Sequence, residues 1–332
     1  MAKKKVAING FGRIGRLTVR FLLQNPDIEI VGINDLTDNK TLAHLFKYDT
    51  AQGIFDGEVS ADDDHIYING QKINSYAERD PSKLPWKKIG VETVLEATGV
   101  FRSKEGAGKH LKAGASRVVI SAPANGDEPV KTIVLGVNTD AVSRRSKILS
   151  NASCTTNCLA PMACILDQAF GIEYGLMTTT HAYTADQRLQ DAPHKDLRRA
   201  RAAAENIVPT TTGAAVAVAL VLPHLKGKLD GSAIRVPTIT GSLTELNAIV
   251  REKATAAKVN KAFKEAAKGN FAVIVQYNED PIVSSDIVGN THSCVFDAPL
   301  TKVMKGKMVR ILAWYDNEAG YSSRLAELIE QF

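Results

Sequence analysis

The sequence predicts two α/β domains: a doubly wound dinucleotide-binding domain, then an α+β catalytic domain whose sheet is mixed and largely antiparallel. Its 332 residues suffice for about two domains of roughly 150 residues each. In the first half, apolar strands alternate with helical segments, which is typical of a parallel sheet covered by helices. A glycine-rich turn directly follows the first strand, where such sheets bind their ligands.

The composition is that of an ordinary globular protein, with 44% hydrophobic and 23% charged residues. The formal charge of +5 allows anionic small molecules and does not by itself support nucleic-acid binding. Basic residues near the start are not followed by an apolar signal segment, and no later stretch reaches membrane-span length. We therefore expect no association with a membrane.

The four cysteines form no regular disulfide framework; they are Cys154, Cys158, Cys164 and Cys294. Three of them crowd one predicted turn and helix, where a spacing of four residues is poor disulfide geometry. No second Cys or His pair with ligand spacing accompanies them, so we expect no metal site. Unpaired cysteines favour a reducing compartment, and we expect a cytoplasmic location.

A dinucleotide fingerprint lies between the first strand (residues 5–9) and the helix that follows it. Gly10 allows a tight turn, Gly12 lets the pyrophosphate approach the backbone, and Gly15 lets the helix contact the strand. Asp35 ends the second strand, twenty positions after Gly15. Its carboxylate suits the adenosine ribose hydroxyls and repels a 2′-phosphate, which favours NAD over NADP. Residues 55–73 are predicted to form an inserted meander of hairpins.

Cys154 lies at a predicted turn between a short strand (residues 147–149) and an apolar helix (residues 159–166). At a helix start, unpaired N–H groups and the helix dipole lower the pKa of a thiol. Ser153 and Thr155 add hydroxyl groups that suit an anion. Cys154 is therefore either a thiolate nucleophile beside an anion site or a buried inert cysteine with capping neighbours.

Four features of the second half suit a catalytic domain. His181 ends a strand rich in β-formers, where a lone histidine is either a structural residue or a base for Cys154. Residues 185–206 are polar and basic, either as a solvated segment or as a phosphate-binding loop. Thr212 and Gly213 open a helix of small apolar residues, as caps or as a second anion site. Arg235 interrupts an apolar strand, and burying it requires an anionic partner.

Five segments taken together resemble the phosphorylating glyceraldehyde-3-phosphate dehydrogenase family, in the family's order and along nearly the whole chain. They are residues 8–16, 150–158, 180–184, 229–237 and 314–321. The resemblance implies an NAD-binding domain of residues 1–150 completed by residues 317–332, and a catalytic domain of residues 151–316. It also implies a homotetramer, with the basic loop of residues 182–205 at a subunit interface.

The resemblance also implies roles for individual residues. Cys154 is implied as the nucleophile and His181 as its general base and acid. Further cofactor contacts are Arg13, Ile14, Arg79, Ser121 and Asn317. The implied ligands of the substrate's phosphate are Thr184 and Arg235. Those of the attacking inorganic phosphate are Ser153, Thr155, Arg199, Thr212 and Gly213.

The implied reaction converts glyceraldehyde 3-phosphate, NAD and inorganic phosphate into 1,3-bisphosphoglycerate through a thiohemiacetal and a thioester on Cys154. Ala192 stands beside Pro193 where many NAD-specific relatives have leucine, so some use of NADP stays open. Two rival hypotheses are an erythrose-4-phosphate dehydrogenase with similar chemistry and a non-catalytic NAD- or RNA-binding module. The two predicted phosphate sites favour the triose reaction.

Overall fold

The computed structural model describes residues 3–143 and 145–332, which form two compact units. The first unit comprises residues 3–133, 322–332 and the described part of 140–152. The second comprises residues 134–139 and 153–321. The first division falls after Ala152 and not at 150, since the backbone N–H of Asn151 still bonds Ile120 O of the first sheet at 3.1 Å. The last division falls before Ser322, a few residues beyond the expected one at 317.

The first unit is built on a nine-stranded sheet. Its strands are β1 (Lys4–Asn9), β2 (Ile28–Asn34), β3 (Val59–Ala61), β4 (His65–Ile68), β5 (Gln71–Tyr76), β6 (Thr93–Glu96), β7 (Arg117–Ile120), β8 (Lys131–Thr132) and β9 (Ile148–Ser150). The strand order is β3-β4-β5-β2-β1-β6-β7-β9-β8. β5, β2, β1, β6, β7, β9 and β8 run parallel. The doubly wound architecture is thus as predicted. The chain adds β2 to β5 on one side of β1 and then β6 to β9 on the other side.

The helices of the first unit follow from local sequence signals. They are α1 (Arg13–Leu22), α2 (Asn39–Lys47), α3 (Trp86–Ile89) and α4 (Lys104–Lys112). Asp38 caps α2 by accepting a hydrogen bond from Thr41 N at 2.9 Å, and Ser103 caps α4 through Gly106 N at 3.0 Å. Leu17, Val19 and Leu22 form the buried face of α1.

The predicted meander over residues 55–73 is confirmed. β3, β4 and β5 pair antiparallel, and β5 then joins β2 in parallel. Asn69 and Gly70 both have positive φ values, of 50° and 77°, so they form the tight turn between β4 and β5.

The second unit is built on an eight-stranded mixed sheet. Its strands are β10 (Ile172–Ala182), β11 (Val208–Thr211), β12 (Leu229–Val236), β13 (Ser242–Val250), β14 (Val275–Asn278), β15 (Cys294–Asp297), β16 (Lys302–Met304) and β17 (Met308–Tyr315). The order is β11-β12-β10-β13-β17-β15-β14, with β16 paired to β17. Only β10–β12 and β14–β15 pair in parallel, so the sheet is largely antiparallel, as predicted.

The helices of this half are α5 (Cys154–Phe170), α6 (Ala214–Val221), α7 (Ala256–Ala266) and α8 (Ala319–Gln331). α5 is apolar on nearly all sides and almost wholly buried, as expected for a central helix. β13 alternates buried and half-buried residues, so the sheet has a core face and a more exposed face. β14 begins at Val275, whose backbone N–H closes the preceding turn by donating to Phe271 O at 2.7 Å.

The last residues of the chain return to the first unit. Ser322 and the residues after it belong to that unit, and Lys4 Nζ donates to Ile329 O at 2.9 Å. Across residues 3–143 and 145–332, no helix is both long and apolar enough to cross a membrane.

Candidate active site

Cys154 is the first residue of α5, at the strand-to-helix turn that the sequence predicts. Ser153 is the N-cap, and its hydroxyl accepts a hydrogen bond from Thr156 N at 3.0 Å. Ala152 has a φ of 55°, which is unusual for a residue with a side chain. Such conformations persist where the surrounding structure holds them, often at functional turns.

Cys154 and His181 lie in contact. Cys154 Sγ is 3.4 Å from His181 Nε2, and β10 places the imidazole at its carboxyl end. His181 Nδ1 lies 2.7 Å from Ala182 O, which can only accept. A terminal nitrogen of Arg235, which can only donate, lies farther from Nδ1, at 3.0 Å. From the shorter contact we assign the ring proton to Nδ1, so that Nε2 presents its lone pair to the thiol. The structure thus brings Cys154 into contact with His181, as the nucleophile hypothesis requires.

Burial dominates the protonation of this pair. It raises the pKa of the Cys154 thiol, outweighing the Arg235 guanidinium and the hydroxyl and N–H of Thr155, which lower it. Burial, followed by Arg235, lowers the pKa of His181 to about 3. The lowered thiol pKa predicted from the helix start is therefore wrong as a net effect, because removal from water outweighs the helix terminus. Both shifts favour the uncharged forms of the pair, a thiol and an imidazole.

Tyr315 is a site residue that sequence reasoning missed. Its hydroxyl lies 2.9 Å from Thr155 Oγ1 and 2.8 Å from Thr179 Oγ1, and its ring packs edge-on against His181. It thereby joins α5, β10 and β17 directly behind the thiol–imidazole pair. Tyr315 lies within a segment that carries the family resemblance, but no local pattern marks its partners.

The predicted ligands of the substrate's phosphate lie beside His181. β10 and β12 run parallel in a register that places Arg235 opposite His181. One terminal nitrogen of Arg235 lies 3.0 Å from Thr184 Oγ1, 3.1 Å from Ala182 O and 3.0 Å from His181 Nδ1. Arg235 Nε is buried and has no hydrogen-bond partner among the described residues. A buried guanidinium nitrogen without an acceptor suits an anionic ligand.

The predicted ligands of inorganic phosphate are distributed over three elements. Arg199, in the loop before β11, donates to Thr210 Oγ1 at 2.9 Å and to Thr211 O at 3.2 Å. Thr212 and Gly213 stand at the start of α6, where Thr212 Oγ1 accepts from Ala214 N at 3.2 Å. The Ser153 hydroxyl caps α5 and the Thr155 hydroxyl is hydrogen-bonded to Tyr315. Both hydroxyl groups therefore already have partners within the protein.

The glycine turn of the first unit has the geometry of a dinucleotide site. Gly10 has a φ of 92°, and a Cβ on Gly15 would lie 2.2 Å from Gly10 O. A Cβ on Gly12, in contrast, would meet nothing within 4 Å, so the backbone there is open to a ligand. Gly12 is also the N-cap of α1 and offers no side chain to the first-turn N–H groups, including those of Arg13 and Ile14.

Asp35 fits the role expected of the ribose carboxylate. One carboxylate oxygen accepts from Phe11 N at 2.8 Å and the other from Thr37 N at 3.0 Å. These bonds fix Asp35 at the rim of a cleft of about 420 Å³ that Gly10, Gly12, Thr98 and Arg79 also line. An open glycine, a helix start and an anchored carboxylate together fit a dinucleotide.

The other predicted cofactor residues lie in both units. Ser121 follows β7, and its backbone N–H donates to Glu96 O at 2.9 Å. Asn317 lies in the second unit, where its Oδ1 accepts from Ser242 Oγ at 2.8 Å. The sequence did not mark the buried carboxylate of Glu96. It accepts hydrogen bonds from Asn9 Nδ2 at 2.5 Å and Thr98 N at 2.9 Å, two residues that line the cleft.

A unit with the geometry of a dinucleotide site and a unit with a thiol–imidazole pair beside an arginine fit one class of protein, the nicotinamide-dependent dehydrogenases. Comparison with known families agrees. Residues 4–104 match the family described as glyceraldehyde 3-phosphate dehydrogenase, NAD binding domain. Residues 153–317 match the family described as glyceraldehyde 3-phosphate dehydrogenase, C-terminal domain.

Curated relatives match over almost the whole chain. Glyceraldehyde-3-phosphate dehydrogenase 1 of Bacillus subtilis is 56% identical over 325 residues, covering 98% of this chain and 96% of the relative. Glyceraldehyde-3-phosphate dehydrogenase 2 of Streptomyces avermitilis is 58% identical over 326 residues, covering 98% and 97%. The glyceraldehyde-3-phosphate dehydrogenase of Geobacillus stearothermophilus is 56% identical over 325 residues, covering 98% and 96%.

The chain therefore belongs to the glyceraldehyde-3-phosphate dehydrogenase family. The resemblance, the fold class and NAD as the cofactor, all inferred from the sequence, are confirmed.

Proposed function

We propose that this chain oxidises D-glyceraldehyde 3-phosphate to 1,3-bisphosphoglycerate with NAD and inorganic phosphate. The observation that carries the chemistry is the 3.4 Å contact between Cys154 Sγ and His181 Nε2, with Arg235 beside it. Family membership supports the substrate and the cofactor. The rival erythrose-4-phosphate dehydrogenase is not favoured, because the curated relatives over almost the whole chain are named glyceraldehyde-3-phosphate dehydrogenases. The non-catalytic module is not favoured, because the thiol–imidazole pair is complete.

The first step joins Cys154 to the aldehyde. Sγ attacks the carbonyl carbon while its proton passes to His181 Nε2 and on to the carbonyl oxygen, which gives a thiohemiacetal. Backbone N–H groups at the start of α5 stabilise the developing negative charge on that oxygen. A phosphate group on Arg235 neutralises the guanidinium charge that helps to hold the pKa of His181 low, so the bound substrate strengthens its own base.

The second step oxidises the thiohemiacetal. NAD, when bound, accepts the hydride from the substrate carbon. His181 Nε2 takes the hydroxyl proton, and a thioester on Cys154 remains. The thioester has a high acyl-transfer energy, which drives the next step. In that step an oxygen of inorganic phosphate attacks the acyl carbon. The carbon–sulfur bond breaks, the acyl phosphate leaves, and the thiol regains its proton from His181.

The two phosphate groups are assigned to two sets of residues. Thr184 and Arg235 are proposed for the substrate, because they bond one another directly beside the reacting pair. Ser153, Thr155, Arg199, Thr212 and Gly213 are proposed for inorganic phosphate, and the start of α6 supports an anion there. The hydroxyl groups of Ser153 and Thr155 would exchange their present partners for phosphate oxygens.

For NAD, we propose that the first unit is the cofactor domain and the second the catalytic domain. Gly10, Gly12, Gly15, Arg13 and Ile14 would hold the pyrophosphate and Asp35 the adenosine ribose. Arg79, Ser121 and Asn317 are further proposed contacts. Ala192 and Pro193 lie in the loop before β11. Because Ala192 is small where many NAD-specific relatives have leucine, we propose that the chain also accepts some NADP.

We propose a homotetramer. The more exposed face of the second sheet has an apolar groove of about 450 Å³ whose lining includes Tyr174, Leu176 and Met308, which are 61%, 64% and 40% exposed. Leu189 and Leu197, in the loop of residues 182–205, are 83% and 80% exposed. Apolar surfaces of this kind favour burial against another subunit.

The four cysteines are free thiols, which supports a reducing, cytoplasmic location.

The test is an assay of NADH formation with glyceraldehyde 3-phosphate and with erythrose 4-phosphate, each with and without inorganic phosphate, for the wild type and Cys154→Ser. We expect phosphate-dependent turnover of the triose by the wild type alone. Preference for erythrose 4-phosphate, or full activity of the variant, would overturn the proposal. Repeating the assay with NADP measures how strictly Asp35 selects NAD.

A further inference from the structure

One carboxylate lies between the two proposed phosphate sites. Asp186, in the loop after β10, accepts a hydrogen bond from Thr184 Oγ1 through one oxygen. Its other oxygen accepts from a terminal nitrogen of Arg199 at 2.7 Å. Thr184 belongs to the proposed site for the substrate's phosphate and Arg199 to the site for inorganic phosphate. Asp186 thus bridges both sites within one chain.

The bridge continues to the reacting pair. Arg235 donates to Thr184 Oγ1 at 3.0 Å and lies 3.0 Å from His181 Nδ1. A line of direct contacts therefore runs from His181 through Arg235, Thr184 and Asp186 to Arg199. In the sequence this loop stands out for its cations, and nothing marks the role of the anion among them.

Asp186 is an anion in this position. Although burial raises its pKa, the hydroxyl of Thr184 and the guanidinium groups of Arg235 and Arg199 lower it by more, so the net pKa is below the usual value. The side chain remains 40% exposed, so the carboxylate can move toward water without crossing the protein core.

A carboxylate and a phosphate use the same donors. The hydroxyl of Thr184 has one proton, and it is given to Asp186. Arg199 also donates to Thr210 and Thr211, and Asp186 is the anion that its terminal nitrogen contacts at 2.7 Å. A phosphate group at either site therefore competes with the carboxylate for the Thr184 hydroxyl or for Arg199.

We propose that Asp186 is an internal competitor that occupies both phosphate sites in the free enzyme and couples them; this rests on the proposed function. A phosphate group that takes the Thr184 hydroxyl releases one oxygen of the carboxylate and weakens its hold on Arg199. Binding at the substrate site thus favours inorganic phosphate at the second site. By linkage, inorganic phosphate favours the substrate to the same extent.

The test compares Asp186→Asn with Asp191→Asn. Asp191 lies in the same loop, is exposed and accepts from Arg201 at 3.0 Å, so it controls for the loss of one loop carboxylate that pairs with an arginine. We expect Asp186→Asn to lower KM for inorganic phosphate and for glyceraldehyde 3-phosphate by about two- to fivefold each, the range of a partly exposed ion pair. We expect kcat to change little and Asp191→Asn to resemble the wild type.

A direct titration with inorganic phosphate alone, by calorimetry at constant ionic strength, separates this proposal from the proposed function. Tighter phosphate binding by Asp186→Asn supports the competitor even if the wild type shows no phosphate-dependent turnover. Weaker or unchanged phosphate binding overturns it and makes Asp186 a support for Arg199. An equal effect of Asp191→Asn also overturns it. Should Asp186→Asn fail to fold by circular dichroism, Asp186→Ser takes its place with the same expectations.

Discussion

His110 Nε2 lies 3.0 Å from the Glu96 carboxylate, and both side chains are fully buried. Trp86 Nε1 donates to His110 Nδ1 at 3.0 Å, so Nδ1 carries no proton and Nε2 donates to Glu96. The histidine is therefore neutral in this arrangement. The Glu96 carboxylate accepts hydrogen bonds from Asn9, Thr98 and His110, next to the glycine turn.

Replacing Glu96 with alanine should destabilise the first unit. The change leaves the donors of Asn9, Thr98 and His110 buried without their acceptor, and we expect a loss of about 3 kcal/mol or more. It should also weaken NAD binding, because Asn9 and Thr98 line the cleft. Thermal unfolding and NAD titration measure both effects. Glu96→Gln keeps an acceptor and should lose less; equal, negligible losses for both variants would contradict this role.

Substitution of two glycines of the turn by alanine should affect different properties, stability for Gly15 and NAD binding for Gly12. Gly15→Ala places a Cβ 2.2 Å from Gly10 O, so we expect a loss of about 1–3 kcal/mol in stability from the forced backbone shift. Gly12→Ala meets nothing within 4 Å in the free chain and should fold normally. It should raise KM for NAD on the order of tenfold, about 1.4 kcal/mol, because the methyl group stands where the pyrophosphate approaches.

Thermal unfolding and NADH-formation kinetics of the two glycine variants test this separation. A stable Gly12→Ala protein with unchanged KM for NAD would place the pyrophosphate elsewhere. A fully stable Gly15→Ala protein would mean that the turn and α1 can move apart without cost.

Acid should destabilise the second unit through His181. Its pKa is about 3 in the folded chain against 6.5 when unperturbed, so the unfolded state binds more protons between these values. The contribution of neutral His181 to the free energy of unfolding is fully present above about pH 6.5 and decreases as the pH drops toward 3. His181→Asn removes this titration, so the difference in unfolding midpoint between wild type and variant should shift in the variant's favour from near pH 7.5 to near pH 5. A difference independent of pH would contradict the low pKa.

Local signals were enough to predict the parts of the site that depend on neighbouring residues. Gly10, Gly12 and Gly15 are set by the turn between β1 and α1, and Cys154 by the turn before α5. Contacts between distant residues were harder to predict. Tyr315 reaches Thr155 across 160 positions of sequence, and only the packing of α5 on the sheet that contains β17 makes this bond.

The protonation of the reacting pair depended on a quantity that the sequence does not contain. A helix start predicts a lower thiol pKa, yet burial raises it. Burial follows from the complete packing of the unit around Cys154 and His181. Asp186 was missed for a related reason: in sequence it is one acid in a basic, exposed loop, and only the folded loop places it between Thr184 and Arg199.

Cys154 is proposed to carry the acyl group during the reaction. Mass spectrometry of the intact protein and of its proteolytic peptides, after incubation with glyceraldehyde 3-phosphate and NAD without phosphate, measures this acylation. We predict that the wild type gains the mass of one phosphoglyceroyl group on the peptide containing Cys154, that inorganic phosphate removes it, and that Cys154→Ser gains none. An adduct on another residue, or phosphate-dependent turnover with no adduct in rapidly quenched samples, would contradict the account.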